Sequence, residues 1–281
     1  MSSLKIYSPR GEFGDTLLCS VLVPHFLKNE GRTVDVISRF QLPRSVTEKF
    51  SDSYTIIEPN GYCDNPEFYC EKDKILGLLR SDKLFRTPPD CIRSVKLPEL
   101  PKTVDGDYVV LVPTVTGWWG NDPKERRMTG MYLEHWIEIY DYIKSKKLRV
   151  VCFATEQGCS EEQAHMMSDH VVWHKDEQSR SSDILAGQLA IMQHAKTSVA
   201  IGGAATVSLV FDIPGVGNDP AFFRGDYAIF VPLILQKRTN LDLLGDLDFI
   251  SKSIGFTANP DPMVANKFVK DSILNGLKKV L

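Results

Sequence analysis

The opening stretch of about 35 residues constrains the fold more than any other part of the chain, because it reads as strand, loop, helix and strand in succession. Leu4-Lys5-Ile6-Tyr7 is a short apolar strand, broken by the turn-forming run Ser8-Pro9-Arg10-Gly11-Glu12-Phe13-Gly14. Asp15-Thr16 then opens an apolar helical run from Leu17 to Leu27, with Leu17, Leu18, Val21 and Leu22 on one stripe and Gly31 as its stop. Thr33 to Ile37 is a second strand. A βαβ unit of this kind crosses over right-handed and commits the chain to a parallel sheet.

The pattern weakens and then restarts. Between Gln41 and Arg93, Tyr54 to Ile57 reads as a third strand, Lys72 to Leu79 as a helix and Ile92 to Val95 as an edge strand. Leu97-Pro98-Glu99-Leu100-Pro101-Lys102 reads as a linker, since proline lacks the N–H that a sheet interior requires. Tyr108 to Val112 is a buried strand, followed by a long loop from Pro113 to Met128 and a helix from Met131 to Lys146 with Trp136, Ile139, Tyr140 and Ile143 in register. Strand Arg149 to Phe153, helix Glu161 to Met167, strand His170 to Trp173, helix Ile184 to His194 and strand Ser198 to Ile201 follow, and a helix from Pro262 to Val280 closes the chain. The expected architecture is α/β, with two Rossmann-like doubly wound lobes, residues 1–100 and 101–281, and a cleft between them.

Composition narrows the partners. With 43% hydrophobic and 25% charged residues the chain is an ordinary globular protein. Its 33 basic and 36 acidic residues give a net charge of -3, which supplies no general attraction to nucleic acid. No apolar run approaches the roughly 20 residues that cross a bilayer, and Met1 to Ile6 lacks the basic-then-apolar layout of a secretion signal, so a cytoplasmic protein is expected. The six cysteines are scattered, Cys63/Cys70 and Cys152/Cys159 being the nearest pairs, and reduced thiols are the expectation.

Ligands of open parallel sheets bind beyond the carboxyl ends of the strands, and three such places carry candidate chemistry. The first is Gly11-Glu12-Phe13-Gly14-Asp15, where glycines admit a ligand to the backbone and Asp15 serves either as a general base for an acceptor hydroxyl or simply as the helix cap. The second is Thr114 to Met128. Its Lys124, Arg126 and Arg127 can neutralise a diphosphate, and Trp118 and Trp119 can stack on a sugar or base; the alternative is a solvated basic turn with packed tryptophans. The third is Gly202-Gly203-Ala204-Ala205-Thr206 after a buried strand, small enough to leave room for phosphate at a helix start, or for tight helix–sheet packing. Glu156, just past another strand, is a further candidate for sugar or ribose contact, or an exposed turn residue.

Other chemistries lack their motifs. There is no GxGxxG fingerprint with an acidic residue ending the second strand, no GxSxG elbow, no GxxxxGK[ST] loop and no HExxH. No metal site is therefore expected.

Taken together, the layout resembles the GT-B-fold glycosyltransferases, and among them the ADP-heptose:lipopolysaccharide heptosyltransferase family. Gly11 to Leu18 is similar to that family's GxxGD and apolar helix, with Asp15 in its catalytic aspartate slot. Tyr108 to Val112 with Lys124 is similar to its second-lobe strand and phosphate-binding lysine, and Gly202 to Gly217 to its glycine turn, helix and proline before a short strand. Residues from about 40 to 95 have no counterpart. Where the family has Asp-Thr-Gly and then histidine, this chain has Ile201-Gly202-Gly203 and Thr206, so adenosine diphosphate and heptose are not carried over. The resemblance implies metal-independent, inverting transfer from a nucleotide-diphosphate sugar, as co-substrate, to a glycan or glycoconjugate acceptor, with no further cofactor. A nucleotide-sugar epimerase and a non-catalytic nucleotide- or glycan-binding module are the alternatives.

Overall fold

The computed structural model describes residues 4–7, 20–21, 23–29, 31–38, 42–56, 97–115, 131–156, 158–175, 182–201, 211, 213–219, 231–235 and 262–281, and elements are numbered among these. They form an α/β protein with two separate sheets, the first parallel and the second parallel except at its last strand. The first holds β1 (Leu4–Tyr7), β2 (Val34–Ser38) and β3 (Ser53–Ile56) in that spatial order. The second holds β4 (Tyr108–Val112), β5 (Arg149–Thr155), β6 (His170–His174), β7 (Thr197–Ile201), β8 (Gly215–Asp219) and β9 (Val231–Leu235), in the order β6-β5-β4-β7-β8-β9. All its pairings are parallel except β8 with β9.

The two sheets are wired alike. In the first, α1 (Val23–Asn29) ends where Gly31 takes φ +77, a left-handed position that suits glycine, and the Gly31 N–H donates to the Lys28 carbonyl. Asp52, just before β3, accepts from the Val34 N–H at 2.8 Å and from Lys28 Nζ of α1 at 3.0 Å. In the second sheet, Asp169, just before β6, accepts from the Val150 N–H of β5 at 2.8 Å and from Lys144 Nζ of α3 (Leu133–Ser145) at 2.8 Å. In both, one carboxylate ties the preceding helix to the start of the neighbouring strand, satisfying a backbone donor at the amino edge of the sheet.

Strand β4 shows why the second sheet is the larger core. Tyr108, Val109, Val110 and Leu111 are all fully buried, so both faces of the strand are covered, as parallel sheets require. Val109 and Leu111 pack with Trp136, Ile139 and Ile143 of α3 and with Val269, Ile273 and Leu277 of α6 (Pro262–Val280). Lys270 of α6 reaches Glu138 of α3 at 2.6 Å. Tyr108 and Val110 point the other way, toward Leu185 and Leu189 of α5 (Ser182–Gln193), where the Tyr108 hydroxyl donates to the Ile191 carbonyl at 2.9 Å. Val21, Val46 and Phe50 from the first sheet's side join that same apolar cluster, and the Phe50 and Phe211 rings lie 6.4 Å apart.

Most sequence-expected elements are present with ends shifted by a few residues, the helix expected from Leu17 to Leu27 being described as α1 from Val23 to Asn29, with residues 17–19 and 22 outside the described residues. β5 runs two residues further than expected, to Thr155. Two elements were not anticipated: α2 (Arg44–Phe50), whose seven residues bury Val46, Thr47 and Phe50, and the antiparallel β9. The expected helix at 72–79 and strand at 92–95 lie outside the described residues. The 97–102 stretch has no regular structure but is no free tether. Leu97 and Leu100 are buried, Gln193 bridges the Leu100 N–H and the Pro98 carbonyl, and His194 Nε2 sits 2.7 Å from the Leu100 carbonyl. No described helix is long and apolar enough to cross a membrane.

Candidate functional site

The strand order of the second sheet identifies its topological switch point. The chain passes from β4 outward through β5 to β6, then returns to the other side of β4 to lay down β7 and β8. Numbered within this sheet the order is 3-2-1-4-5, with an antiparallel sixth strand, and the direction of winding reverses between β4 and β7. At such a switch point the loops leaving the two adjacent strands diverge and open a crevice at their carboxyl ends. Here Val112, the last residue of β4, is in register with Ala200, one residue before the end of β7. The segment bearing Trp118, Trp119, Lys124, Arg126 and Arg127 follows β4, and Gly202-Gly203-Ala204-Ala205-Thr206 follows β7. Both therefore depart from neighbouring strands on one edge.

The root of the first of these segments is closely bonded. Val115 and Met131 form a parallel bridge. The Thr114 carbonyl accepts from the Met131 N–H at 2.9 Å and from the Trp136 indole N–H at 3.2 Å. The Val115 N–H donates to the Gly158 carbonyl at 2.7 Å, linking this root to the turn after β5. That turn is itself held on several sides: the Gly158 and Cys159 N–H groups donate to the Thr155 carbonyl at 2.8 and 3.1 Å, and Trp173 Nε1 donates to the Cys159 carbonyl at 2.9 Å. Beyond it, Ser160 and Gln163 form a reciprocal capping box that starts α4 (Glu161–Met166).

Glu156 belongs to this turn. It is half-buried, one residue past the end of β5, and its N–H donates to the His174 carbonyl at 3.0 Å. His174 ends β6 on the same edge, its ring 5.6 Å from that of Phe153, and burial lowers its pKa from the ordinary histidine value. Cys152 of β5 and Cys159 of the turn are buried free thiols; their mutual hydrogen bond, with burial, pushes the Cys152 thiol well above its usual range, which makes it a poor nucleophile. Among the described residues no three His, Cys, Asp or Glu side chains gather as a metal site.

Glu156 is thus placed on the carboxyl edge of the second sheet. Gly11, Glu12, Phe13, Gly14 and Asp15, then Trp118, Trp119, Lys124, Arg126 and Arg127, and finally Gly202, Gly203, Ala204, Ala205 and Thr206 lie outside the described residues. Sequence reasoning did not single out Thr114, Val115 and Gly158 as one bonded unit. Gly158 follows a strand within a turn, a visible signal, but its partner is more than forty residues away and only strand order brings the two together.

The described elements define an α/β protein of parallel sheets, the larger with a topological switch point. No protein family model matches the chain, and no curated protein is similar to it in sequence. Among solved structures it is similar to E. coli heptosyltransferase WaaC with ADP-2-deoxy-2-fluoro heptose, at a TM-score of 0.45 and 13% identity, over 90% of this chain and 100% of that one. It is also similar to E. coli heptosyltransferase WaaC with ADP, at a TM-score of 0.40 and 12% identity, over 77% of this chain and 86% of that one.

Proposed function

We infer that the protein is a glycosyltransferase that moves a sugar from a nucleotide-diphosphate donor to a hydroxyl of a glycan or glycoconjugate acceptor. The observation that carries this reading is the reversal of strand order between β4 and β7, with Val112 beside Ala200. That reversal sends a cationic segment and a glycine-alanine segment out from adjacent strands on the ligand edge, the combination a diphosphate requires. The like wiring of the two sheets supports two Rossmann-like halves, with residues 1–100 on the acceptor side and 101–281 on the donor side.

In the proposed reaction the donor diphosphate rests against the backbone amides of Gly203 to Thr206 and is neutralised by Lys124, Arg126 or Arg127. Gly11 to Gly14, Trp118, Trp119 and Glu156 contact the acceptor or the sugar. The acceptor hydroxyl oxygen attacks the anomeric carbon from the face opposite the diphosphate. As the new carbon–oxygen bond forms, the bond to the diphosphate breaks and Asp15 takes the hydroxyl proton. The cationic side chains and helix-start amides stabilise the charge gathering on the nucleoside diphosphate as it leaves, a task that elsewhere falls to a metal ion. Inversion at the anomeric carbon follows from the single displacement.

A thermal-shift screen against UDP-, GDP-, ADP- and dTDP-linked sugars tests the reading, because a ligand that binds the native state raises its melting temperature. At least one donor is expected to do so and to be consumed only when an acceptor glycan is added. Donor turnover without acceptor would mark an epimerase instead, and binding without turnover a non-catalytic module.

A further inference from the structure

We propose that Gly158 is a positioning residue, and that the turn after β5 acts through it as a clamp fixing the root of the 116–130 segment on the ligand edge. The proposal rests on the glycosyltransferase reading for its consequence in binding, but not for the clamp itself.

The geometry is specific to glycine. A Cβ at position 158 would lie 2.4 Å from the Pro113 carbonyl oxygen, where ordinary contact begins at 3.4 Å. The obstacle is backbone, so no side-chain rotation relieves it. Pro113 in turn follows directly on β4, whose Val109, Val110 and Leu111 are fully buried and paired on both sides. The turn is equally constrained, through its bonds to Thr155, His174 and Trp173. An added methyl group must therefore separate the two by about 1 Å. That would stretch the Val115 N–H to Gly158 carbonyl bond, now 2.7 Å, beyond the roughly 3.2 Å of a sound hydrogen bond.

Val115 is one half of the bridge that closes the root, and its partner Met131 is held by the same Thr114 carbonyl that accepts from Trp136. Displacing Val115 thus loosens the amino-terminal root of the segment that carries Trp118, Trp119, Lys124, Arg126 and Arg127 and weakens its bridge to Met131. Misplacing a binding group by about 1 Å is enough to cost up to roughly a hundredfold in rate.

The test compares Gly158→Ala and Trp136→Phe with the wild-type chain. The second variant removes the indole donor to Thr114 while keeping an aromatic ring in the core, and serves if the first does not fold. Limited trypsin digestion read by mass spectrometry reports cleavage after Lys124, Arg126 and Arg127. The clamp predicts cleavage there about tenfold faster than in wild type at a temperature where each variant is fully folded, with cleavage at Lys144 and Arg149 little changed even though the melting temperature falls. A general structural defect would accelerate all sites together, and either that result or an unchanged rate at 124–127 in the folded variants overturns the proposal.

A second arm measures the affinity of ADP, GDP, UDP and dTDP against that of the matching nucleosides. In Gly158→Ala the diphosphate of whichever base binds is expected to weaken about tenfold while the nucleoside does not change; equal weakening of both overturns positioning of the cationic segment. If wild-type protein binds none of the four diphosphates, the glycosyltransferase reading fails while the digestion result still decides the clamp.

Discussion

Replacing Asp169 separates two roles that one carboxylate performs. Its Oδ2 accepts from the Val150 N–H at 2.8 Å, and both of its oxygens lie 2.8 Å from Lys144 Nζ. Asp169→Asn keeps an acceptor for the Val150 N–H but loses the charge. The side chains of Lys144 and Asp169 are 38% and 27% exposed, so solvent screens the pair and its loss costs only about 0.5 kcal/mol. Asp169→Ala also strands the part-buried N–H of Val150, which adds about 1–2 kcal/mol. Urea unfolding should therefore rank wild type above Asn and Asn above Ala, with the larger step between the two variants. The pH dependence follows from the carboxyl's own balance. Burial raises its pKa, but the Lys144 ammonium and the Val150 N–H outweigh this and hold it below its usual 3.8. A lowered folded value means the stabilisation is complete above the unfolded pKa and is lost as pH falls through the folded one. The gap between wild type and Asp169→Asn should accordingly hold at neutral pH and close below about pH 4. Equal stability of the Asn and Ala variants, or a gap undiminished at pH 3, would refute the assignment.

Other outcomes follow from the same structure. Asp52 repeats this arrangement in the first sheet, with the Val34 N–H and then Lys28 lowering its pKa, so Asp52→Ala should likewise lose more stability than Asp52→Asn in urea unfolding. Tyr108→Phe leaves the Ile191 carbonyl without its buried donor and should lower unfolding free energy by about 1 kcal/mol, measured by the same method. Asp15→Asn should reduce transfer at least about a hundredfold while the variant still melts as wild type does; near-normal transfer would remove it from the role of base.

The sequence revealed the second sheet well because its strands are continuous apolar runs set between helices of clear period. Tyr108 to Val112 is buried on both faces and reads so, and Trp136, Ile139 and Ile143 mark the inner stripe of α3. The 44–50 helix was missed because seven residues hold less than two full turns of pattern, and its place depends on Val46 and Phe50 reaching a core assembled largely from the second sheet. Strand β9 escaped for a related reason: its register against β8 comes from a pairing, not from its own composition. The linker reading took Pro98 and Pro101 as breaks in regular structure, which they are, but composition does not show that Gln193 and His194 fasten that stretch to the end of α5. For the candidate site, sequence supplied the residue types, while the adjacency of β4 and β7 and the contact of Gly158 with Pro113 are properties of strand order.

Hydrogen exchange of the full chain with and without a saturating nucleoside diphosphate tests the proposed donor site at the switch point most directly. Bound diphosphate is expected to slow exchange in peptides spanning 113–131 and 202–210 together, since both depart from the edge shared by β4 and β7. Protection confined to other parts of the chain, or none with any of the four diphosphates, would contradict a donor site there.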